Sequence, residues 1–525
     1  MYLCHSSKRA LTYSRVQVPK RTTAPPLVQH PLEKVLAWRG LRPLLRHLTR
    51  TGRAGSTLFE RICENYDRSF DSRWQRYKWF LPTRLIDAIL RRTGANKKVL
   101  KEKLFHHPPT VRALALTARS IGVYGLTVPQ RFTAPLFVVW NITQACNLRC
   151  QHCYQNATAR PSPTELSTPE KLSVVDELAS KLVPFLAIAG GEPLVAPDLL
   201  DVVARCQARR IHVTLATNGT LLTPEKCRDL RRAGVRYVEV SLDSPDPQEH
   251  DRFRGQPGAF HRSVQGIRNA IKAGIRTSLA CCFTRHNVHM AERMVQFAIE
   301  LGCNTFSHFN FIPVGRARQV AEYDLLPEQR EHLLSVLRRF LVEGKIAIIS
   351  TAPQFGRDCI MAGFDDGVFV TGHAGHGRGT KTMVLTRYLG GCGAGRCYCS
   401  IQPDGAVTPC VYMPDLKVGD LRRQPLSEIW NNRLADVLAD RDDRGDHCGV
   451  CDYRHYCGGC RARALAYTSD LQAGDPGCVF NIHEWQEVNK SIQCQAASAE
   501  MISSRSPGQI RHLQQLETEQ RGMTS

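Results

Sequence analysis

Short apolar runs alternate with helical patterns through the middle of the chain. The runs PLFVVWNITQAC (135–146) and FLAIAGGEPL (185–194) predict strands, since they are rich in Val, Ile and Phe. Between them, STPEKLSVVDELASKL predicts a helix with Ser167 or Thr168 as N-cap and Pro169 at its first position. This order of strand, loop, helix and strand is typical of a parallel α/β sheet.

The same rhythm continues to about residue 345. Further strands are predicted within HVTLATNGTLL, RYVEVSLDSP, TSLACCFT and TFSHFNFIPVGRA, with helical patterns between them. Ligands of parallel sheets bind beyond the carboxyl ends of the strands, so polar residues such as Ser241 and Asp243 are candidate contacts there. Serine and aspartate at strand ends also commonly cap helices or form turns.

The flanking regions have a different pattern. Residues 1–30 look irregular and basic, residues 31–135 carry helical patterns, and residues 481–525 form a polar tail. The segment VLAWRGLRPLLRHLTR (35–50) places Leu and Trp on one helical face and Arg on the other. That pattern fits a helix lying on a membrane surface, a partner-binding helix, or an ordinary helix packed on its own domain.

Three cysteines follow the first predicted strand, within CNLRCQHCY. Cys146, Cys150 and Cys153 have the spacing that can hold three irons of a [4Fe-4S] cluster and leave the fourth open to a small molecule. Zinc binding or free thiols in a reducing cytosol fit the same spacing. One strand later, Gly190–Pro193 read GGEP, where paired glycines allow close backbone approach and Glu192 offers a carboxylate to an ammonium group; the alternative is a tight turn with a solvated glutamate.

Together these motifs resemble the radical S-adenosylmethionine (SAM) superfamily. The resemblance implies a partial (β/α)6 TIM-like barrel over 136–345 whose cluster binds SAM. It also implies reductive cleavage of SAM to a 5′-deoxyadenosyl radical that removes hydrogen from a substrate C–H bond, with a donor such as flavodoxin or ferredoxin. The SAM contacts that it implies are Gly190, Gly191, Glu192 and Pro193 for the amino group, the backbone of His152 for adenine, Ser241 and Asp243 for the ribose and methionyl side, and Arg254 for the carboxylate.

A second group of cysteines lies in the last third of the chain. Nine cysteines fall between residues 392 and 478, and this density without a secretory signal favours metal binding over disulfides. CxxC pairs also suit structural zinc. A linker rich in Gly and His precedes them at about 371–382, and we interpret its His373 and His376 as part of a mobile loop rather than as ligands.

This region, over 346–480, resembles the SPASM extension of radical SAM enzymes, which binds one or two auxiliary [4Fe-4S] clusters. The family pattern implies one cluster on Cys392, Cys410, Cys460 and either Cys397 or Cys399, and a second on Cys448, Cys451, Cys457 and Cys478. The sequence departs from the pattern in its last pair, which is CxxC rather than CxxxC, and in the extra thiol near residue 398.

Composition and charge limit the remaining choices. A chain of 525 residues that is 42% hydrophobic has room for two or three domains. Its formal charge of +22 is concentrated early, with eleven Lys or Arg against two acids in residues 1–60. This amino end resembles an organellar transit peptide, and an extended upstream start explains it equally well. No apolar run reaches the roughly 18 residues that span a bilayer. We expect a cytoplasmic protein, soluble or peripheral to a membrane, with no nucleic-acid partner.

The substrate is predicted from resemblance alone. The stretch GCGAGRCYCSIQPDGAVTPCVYMP (391–414) resembles SPASM enzymes of alternative haem synthesis, which oxidatively decarboxylate propionates of an iron porphyrin. It is also similar to maturases that modify ribosomally made peptides. Basic residues suit porphyrin carboxylates and an acidic leader peptide equally. A non-catalytic zinc or cluster-binding scaffold is the alternative from another class.

Overall fold

A computed structural model describes residues 31–52, 55–66, 107–362, 368–370, 376–378, 386–431, 433–490 and 492, with scattered positions between 72 and 87. The predicted irregular segment 1–30, His373 with most of the predicted linker, and the tail beyond residue 492 lie outside the described residues.

The amino-terminal region is helical in its described parts. Its helices are α1 (Pro31–Ala37), α2 (Leu41–Leu48), α3 (Leu58–Glu64) and α4 (Pro108–Tyr124). Helix α2 packs on α4 through Leu45, Ala118 and Ile121, so part of its apolar face is covered by its own domain. Trp38 nevertheless remains 66% exposed.

A parallel sheet forms the centre of the fold. Its strands in chain order are β1 (Phe137–Asn141), β2 (Phe185–Ala189), β3 (His212–Thr217), β4 (Tyr237–Ser241), β5 (Arg276–Phe283), β6 (Thr305–Asn310) and β7 (Ala347–Ser350). Each pairs in parallel with the next. This confirms the predicted α/β class, and the open sheet is compatible with a partial barrel.

The cysteine-rich region continues the same sheet. After the small pair β8 (Val368–Val370) and β9 (His376–Arg378), strand β10 (Tyr398–Ile401) pairs in parallel with β1. Strands β11 (Ala406–Thr408) and β12 (Gly419–Asp420) then add antiparallel at the edge. The two cysteine groups are therefore joined by one sheet.

Helices cover the outer face of the sheet. They are α5 (Thr168–Ser180), α6 (Leu199–Ala208), α7 (Pro224–Ala233), α8 (Pro247–Arg254), α9 (Ala259–Lys272), α10 (Ala291–Glu300), α11 (Pro327–Glu343) and α12 (Gln354–Met361). Helix α5 begins as its sequence predicts, because Ser167 and Glu170 form a capping box ahead of Pro169. The apolar core lies between this layer and the outward strand residues, among them Val138, Trp140 and Leu186.

Buried ion pairs hold the cysteine-rich end against the barrel. Its helices are α13 (Leu426–Trp430), α14 (Arg433–Ala439), α15 (Asp446–Val450) and α16 (Arg461–Thr468). Arg463 on α16 lies 3.3 Å from Asp475 and 3.5 Å from Asp324 of the barrel, and all three side chains are fully buried.

The segment predicted as a polar tail starts with packed structure. Residues 482–490 are helical, and Trp485 is buried with its ring against Tyr467. Among the described residues, no helix is both long enough and apolar enough to cross a bilayer.

Candidate active site

The three cysteines of the first group lie on one loop directly after β1. All three are partly exposed at the carboxyl edge of the sheet. The amide of Leu148 donates to Cys146 Sγ at 3.4 Å, and the amide of Ala157 donates to Cys153 Sγ at 3.4 Å. Burial raises the pKa of the Cys146 thiol to about 12, and the neighbouring thiols add to the rise. Metal binding would displace these protons, while the amides orient the sulfurs as ligands.

A strand-end turn fixes this loop from outside. The Arg316 guanidinium donates to the carbonyls of Cys150 at 2.9 Å and Ala157 at 2.5 Å. Beside it, Gly315 has a φ of +60°, and a Cβ there would lie 2.3 Å from the Tyr154 carbonyl oxygen. In the sequence, Arg316 is part of the run TFSHFNFIPVGRA that predicts a strand. Its contact with the cluster loop has no local sequence signal, because the two partners lie more than 150 residues apart.

The GGEP segment packs directly on the cluster loop. The amides of Gly191 and Glu192 donate to the carbonyls of Thr143 and Ala145, each at 2.8 Å. A Cβ on Gly191 would lie 2.1 Å from the Ala145 oxygen, so glycine is required for this approach. Pro193 begins a short 3₁₀ turn, Pro193–Val195.

The Glu192 carboxylate is fully buried and has partners within the protein. It accepts from Thr217 Oγ1 at 2.6 Å, the Asn218 amide at 2.8 Å and the Leu194 amide at 3.1 Å. Burial raises its pKa to about 7 in spite of these bonds. Most of its acceptor capacity therefore joins the ends of β2 and β3, rather than facing an open site as the sequence suggested.

Asp243 and Arg254 form a buried ion pair behind Cys150. Two nitrogens of Arg254 lie 2.7 Å from Asp243 Oδ2, and the Cys282 amide donates to Oδ1 at 2.9 Å. Burial acts to raise the pKa of Asp243, but the Arg254 charge outweighs it and holds the pKa below its usual value. Arg254 Nη1 also lies 3.8 Å from Cys150 Sγ, which places a cation beside the loop.

His152 completes this group, whereas Ser241 lies apart. The His152 ring stacks on Phe253 with centroids 4.1 Å apart, and its Nε2 lies 3.8 Å from Asp243 Oδ2. Burial lowers the pKa of His152 to about 3, so the ring is neutral. Within the described structure its Nδ1 is buried without a hydrogen-bond partner. Ser241 ends β4, half-buried, on the inward face of the sheet.

The structure distinguishes Cys397 from Cys399. Cys392, Cys410 and Cys460 lie close enough for their charges to interact. Cys397 follows Gly393 in the same turn, where a Cβ on that glycine would lie 2.9 Å from Cys397 Sγ. Cys399 instead pairs with Val138 in the sheet, and its side chain lies in the apolar core.

The remaining predicted ligands line one cavity. Cys448, Cys451, Cys457 and Cys478 all line a single small cavity. The Asp475 amide and Asn481 Nδ2 each donate to Cys448 Sγ at 3.4 Å. The fold thus gathers four thiols that are spread over thirty-one positions of the sequence.

Buried arginines near these thiols indicate whether the site suits an iron-sulfur cluster. In the described part of the chain, Arg357, Arg444 and Arg461 each carry a buried N–H nitrogen with no partner. An orphaned buried donor is costly, and a cluster held by four thiolates supplies both negative charge and sulfide acceptors. Arg357 lines the four-thiol cavity, so the donor set fits such a cluster.

A single zinc ion would need a closer approach of the thiols than an iron-sulfur cluster. A tetrahedral zinc site needs sulfurs roughly 3.8 Å apart, given Zn–S bonds of about 2.3 Å. Among the described residues, no three Cys, His, Asp or Glu side chains converge closely enough to hold one metal ion. A cube of four irons spreads its ligands more widely.

Comparison with known proteins agrees with this geometry. Residues 140–298 match the radical SAM superfamily, and residues 392–460 match SPASM, an iron-sulfur cluster-binding domain. The AdoMet-dependent heme synthase of Methanosarcina barkeri is 36% identical over 349 residues, which cover 66% of this chain and 97% of that protein. The chain belongs to the radical SAM superfamily. It is a radical SAM enzyme whose cofactors are SAM and [4Fe-4S] clusters, so the non-catalytic scaffold is excluded.

This radical SAM enzyme is also similar to a second curated protein and to a solved structure. Mycofactocin maturase MftC of Mycobacterium ulcerans is 30% identical over 364 residues, 66% of this chain and 88% of that protein. The crystal structure of SuiB from Streptococcus suis superposes with a TM-score of 0.55 at 15% identity, covering 80% of this chain and 92% of that one. The second similarity concerns the fold alone.

Proposed function

We propose that this radical SAM enzyme oxidatively decarboxylates a propionate side chain of a tetrapyrrole. The observation that carries the proposal is the match to a heme synthase along 97% of that protein's length, through both the barrel and the cysteine-rich region. In this reaction the side chain loses a hydrogen atom to the radical, then carbon dioxide and one electron, and becomes a vinyl group.

The residues of the loop after β1 would hold the SAM cluster, with Cys146, Cys150 and Cys153 as its ligands. When bound and reduced, the cluster and SAM supply a 5′-deoxyadenosyl radical. Arg254 places positive charge beside Cys150. The GGEP backbone, His152 and Ser241 are the further SAM contacts that we carry over from the family pattern.

An auxiliary cluster would supply the acceptor for the departing electron. Tyr154 follows Cys153, and its ring meets that of Tyr412 edge to face with centroids 5.3 Å apart. Tyr412 in turn lies two residues after Cys410. We assign the first auxiliary cluster to Cys392, Cys397, Cys410 and Cys460, and the second to Cys448, Cys451, Cys457 and Cys478.

Peptide maturation is the second candidate function. The similarity to mycofactocin maturase supports it, with 30% identity over 88% of that protein. The same barrel and cluster ligands would serve the dehydrogenation or crosslinking of a peptide side chain. The two candidate functions therefore differ in the substrate, a tetrapyrrole or a peptide, that enters the barrel.

Anaerobic reconstitution tests the proposed function. We expect about twelve iron and twelve sulfide per chain, four for each cluster. With SAM, a reductant such as flavodoxin or dithionite and an iron porphyrin propionate, the product should be lighter by carbon dioxide and two hydrogens. One 5′-deoxyadenosine should form for each vinyl group. An unchanged porphyrin alongside a modified precursor peptide would favour the second candidate.

We also propose peripheral membrane contact through the amino-terminal helices. Trp38 is 66% and Leu44 42% exposed, within a segment whose Arg39 and Arg50 are exposed as well. Such a mixture suits an anionic lipid surface. In a sedimentation assay, the wild type should pellet with phosphatidylglycerol vesicles, and the variant Trp38→Ala should pellet only in part. Neither protein should pellet with neutral vesicles.

A further inference from the structure

The inward face of β3 and β4 is partly accessible to solvent. Along β3 and β4 each outward residue is buried and each inward residue is partly exposed. The inward positions of β2, β3, β5 and β6 are mostly small: Ala187, Ala189, Ala216, Ser278, Ala280 and Ser307. Closed TIM barrels fill this space with bulky branched side chains. Here the inward residues are small, and those of β3 and β4 remain partly exposed, whereas Ser278 and Ser307 are buried.

One carboxyl group projects into this space. Glu239 lies in the middle of β4, in register with Ala216 and Ser278. It is partly exposed, whereas its strand neighbours Val238 and Val240 are fully buried. Ser307 on β6 lies near enough to act on the Glu239 carboxyl group, and its hydroxyl shares a hydrogen bond of 2.9 Å with Ser278 on β5. Glu239 thus faces the interior space and has no part in holding the cluster loop or the ion pair behind it.

The surroundings of Glu239 contain titratable groups but no compensating charge. Tyr237 on the same strand and Tyr154 from the cluster loop both have raised pKa values, mainly through burial, with a contribution from Glu239. The facing residues of β3, β5 and β6 are Ala216, Ser278 and Ser307, none of which titrates. Burial raises the pKa of Glu239 to about 7 although Ser307 acts to lower it, and no cation in the described structure contributes.

We propose that Glu239 is a positioning residue that holds a carboxyl group of the substrate through one shared proton. This inference rests on the proposed tetrapyrrole function, whose propionates would bring a carboxylate into the barrel. Two carboxylates in contact in a poorly solvated space cannot both ionise, so one retains its proton and donates a hydrogen bond.

Equilibrium binding at several pH values tests the proposal. Reconstituted wild-type enzyme, without reductant, is titrated with an iron porphyrin propionate and followed by Soret absorbance between pH 6 and 8.5. Affinity in the wild type should fall by about tenfold for each pH unit above 7, because the shared proton is lost. In Glu239→Gln the affinity should stay constant, since an amide N–H donates at every pH. Glu239→Ala should bind more weakly throughout.

Each outcome decides the proposal. An unchanged pH slope in Glu239→Gln, with wild-type iron content and circular dichroism, overturns the role of Glu239 and leaves the proposed function standing. A wild type whose affinity rises with pH also overturns it, because Glu239 would then bind a cationic or N–H group. A wild type that neither binds nor converts the porphyrin overturns both proposals. Ser307→Ala should shift the midpoint of the pH curve without removing the slope.

Discussion

The two groups of cysteines are built in opposite ways. The first places three thiols within eight residues of one loop, partly exposed at the edge of the sheet. The second gathers mostly buried thiols from residues 392–478, with the buried side chains of Arg357, Arg441 and Arg463 among them. An exposed loop with three ligands leaves one iron open to SAM, whereas a buried set with complete ligation suits electron transfer.

The difference extends to the surroundings of the thiols. The first loop is held by backbone contacts with the GGEP segment and by Arg316, so its shape depends on neighbouring strand ends. The second group depends on buried guanidinium groups, such as Arg357 beside Cys457 and Cys478. Removing one cysteine ligand in either region should therefore affect the cluster of that region and leave the clusters of the other region in place.

The largest effect is expected from the variant Cys150→Ala. It removes one of the three proposed ligands of the open cluster and should abolish formation of 5′-deoxyadenosine. The electron paramagnetic resonance (EPR) signals of the auxiliary clusters should remain, with iron lowered by about four per chain. Cys227→Ala, a buried thiol of the apolar core, serves as the control and should keep full iron content. Residual SAM cleavage in Cys150→Ala would contradict the ligand assignment.

Sequence patterns predicted the parallel sheet, helix α5 and the loop after β1, because each depends on local periodicity, caps and spacing. They could not predict the partners of Glu192, which come from the end of β3. Neither could they separate Cys397 from Cys399, since that choice depends on which side of β10 faces the core. Glu239 was overlooked because one acidic residue within a strand pattern gives no local signal of an open space.

The next effect distinguishes two neighbouring thiols of the second region. Cys397→Ala should lose or destabilise one auxiliary cluster, seen as altered EPR signals and lower iron content. Cys399→Ala is the matched control, since its side chain lies in the apolar core and burial raises its pKa to about 12. It should keep all iron and lose about 1 kcal/mol of stability for the small cavity. The reverse result would exchange the two assignments.

A smaller effect concerns the ion pair behind the first loop. Arg254→Met leaves Asp243 buried without its cation and should cost about 3–5 kcal/mol, measured as a lower urea midpoint. The double variant Asp243→Leu with Arg254→Met should recover most of this loss.

A matched pair lies on the other side of the barrel, where Arg330 meets Asp324 at 2.6 Å. Arg330→Met should lower the urea midpoint by less, because Asp324 keeps Arg463 at 3.5 Å and the Tyr467 hydroxyl at 3.0 Å. Only Arg254→Met should also change the EPR signal of the SAM cluster, because Arg254 lies beside Cys150. Equal spectra in the two variants would argue against a role of Arg254 at the cluster.

The smallest effect lies on the surface between the two regions. Arg422, beyond β12, donates to Glu170 on α5 at 2.7 Å and to the carbonyls of Thr164 and Glu165, each at 3.0 Å. Hydrogen bonds from Arg422 and then Ser167 lower the pKa of Glu170 to about 2. Because the folded pKa lies below the unfolded value of about 4.3, this stabilisation is complete above that value and is lost as the pH falls toward 2.

The variant Glu170→Gln measures this contact, since glutamine can still form the capping box. Glu170 is 40% exposed, so water and salt screen the pair, and we expect a loss below about 1 kcal/mol at pH 7. The difference in urea midpoint between wild type and variant should be full at pH 6, smaller by pH 4 and nearly absent in 1 M salt. A difference that persists in salt would mean that packing, rather than charge, joins the two regions at this point.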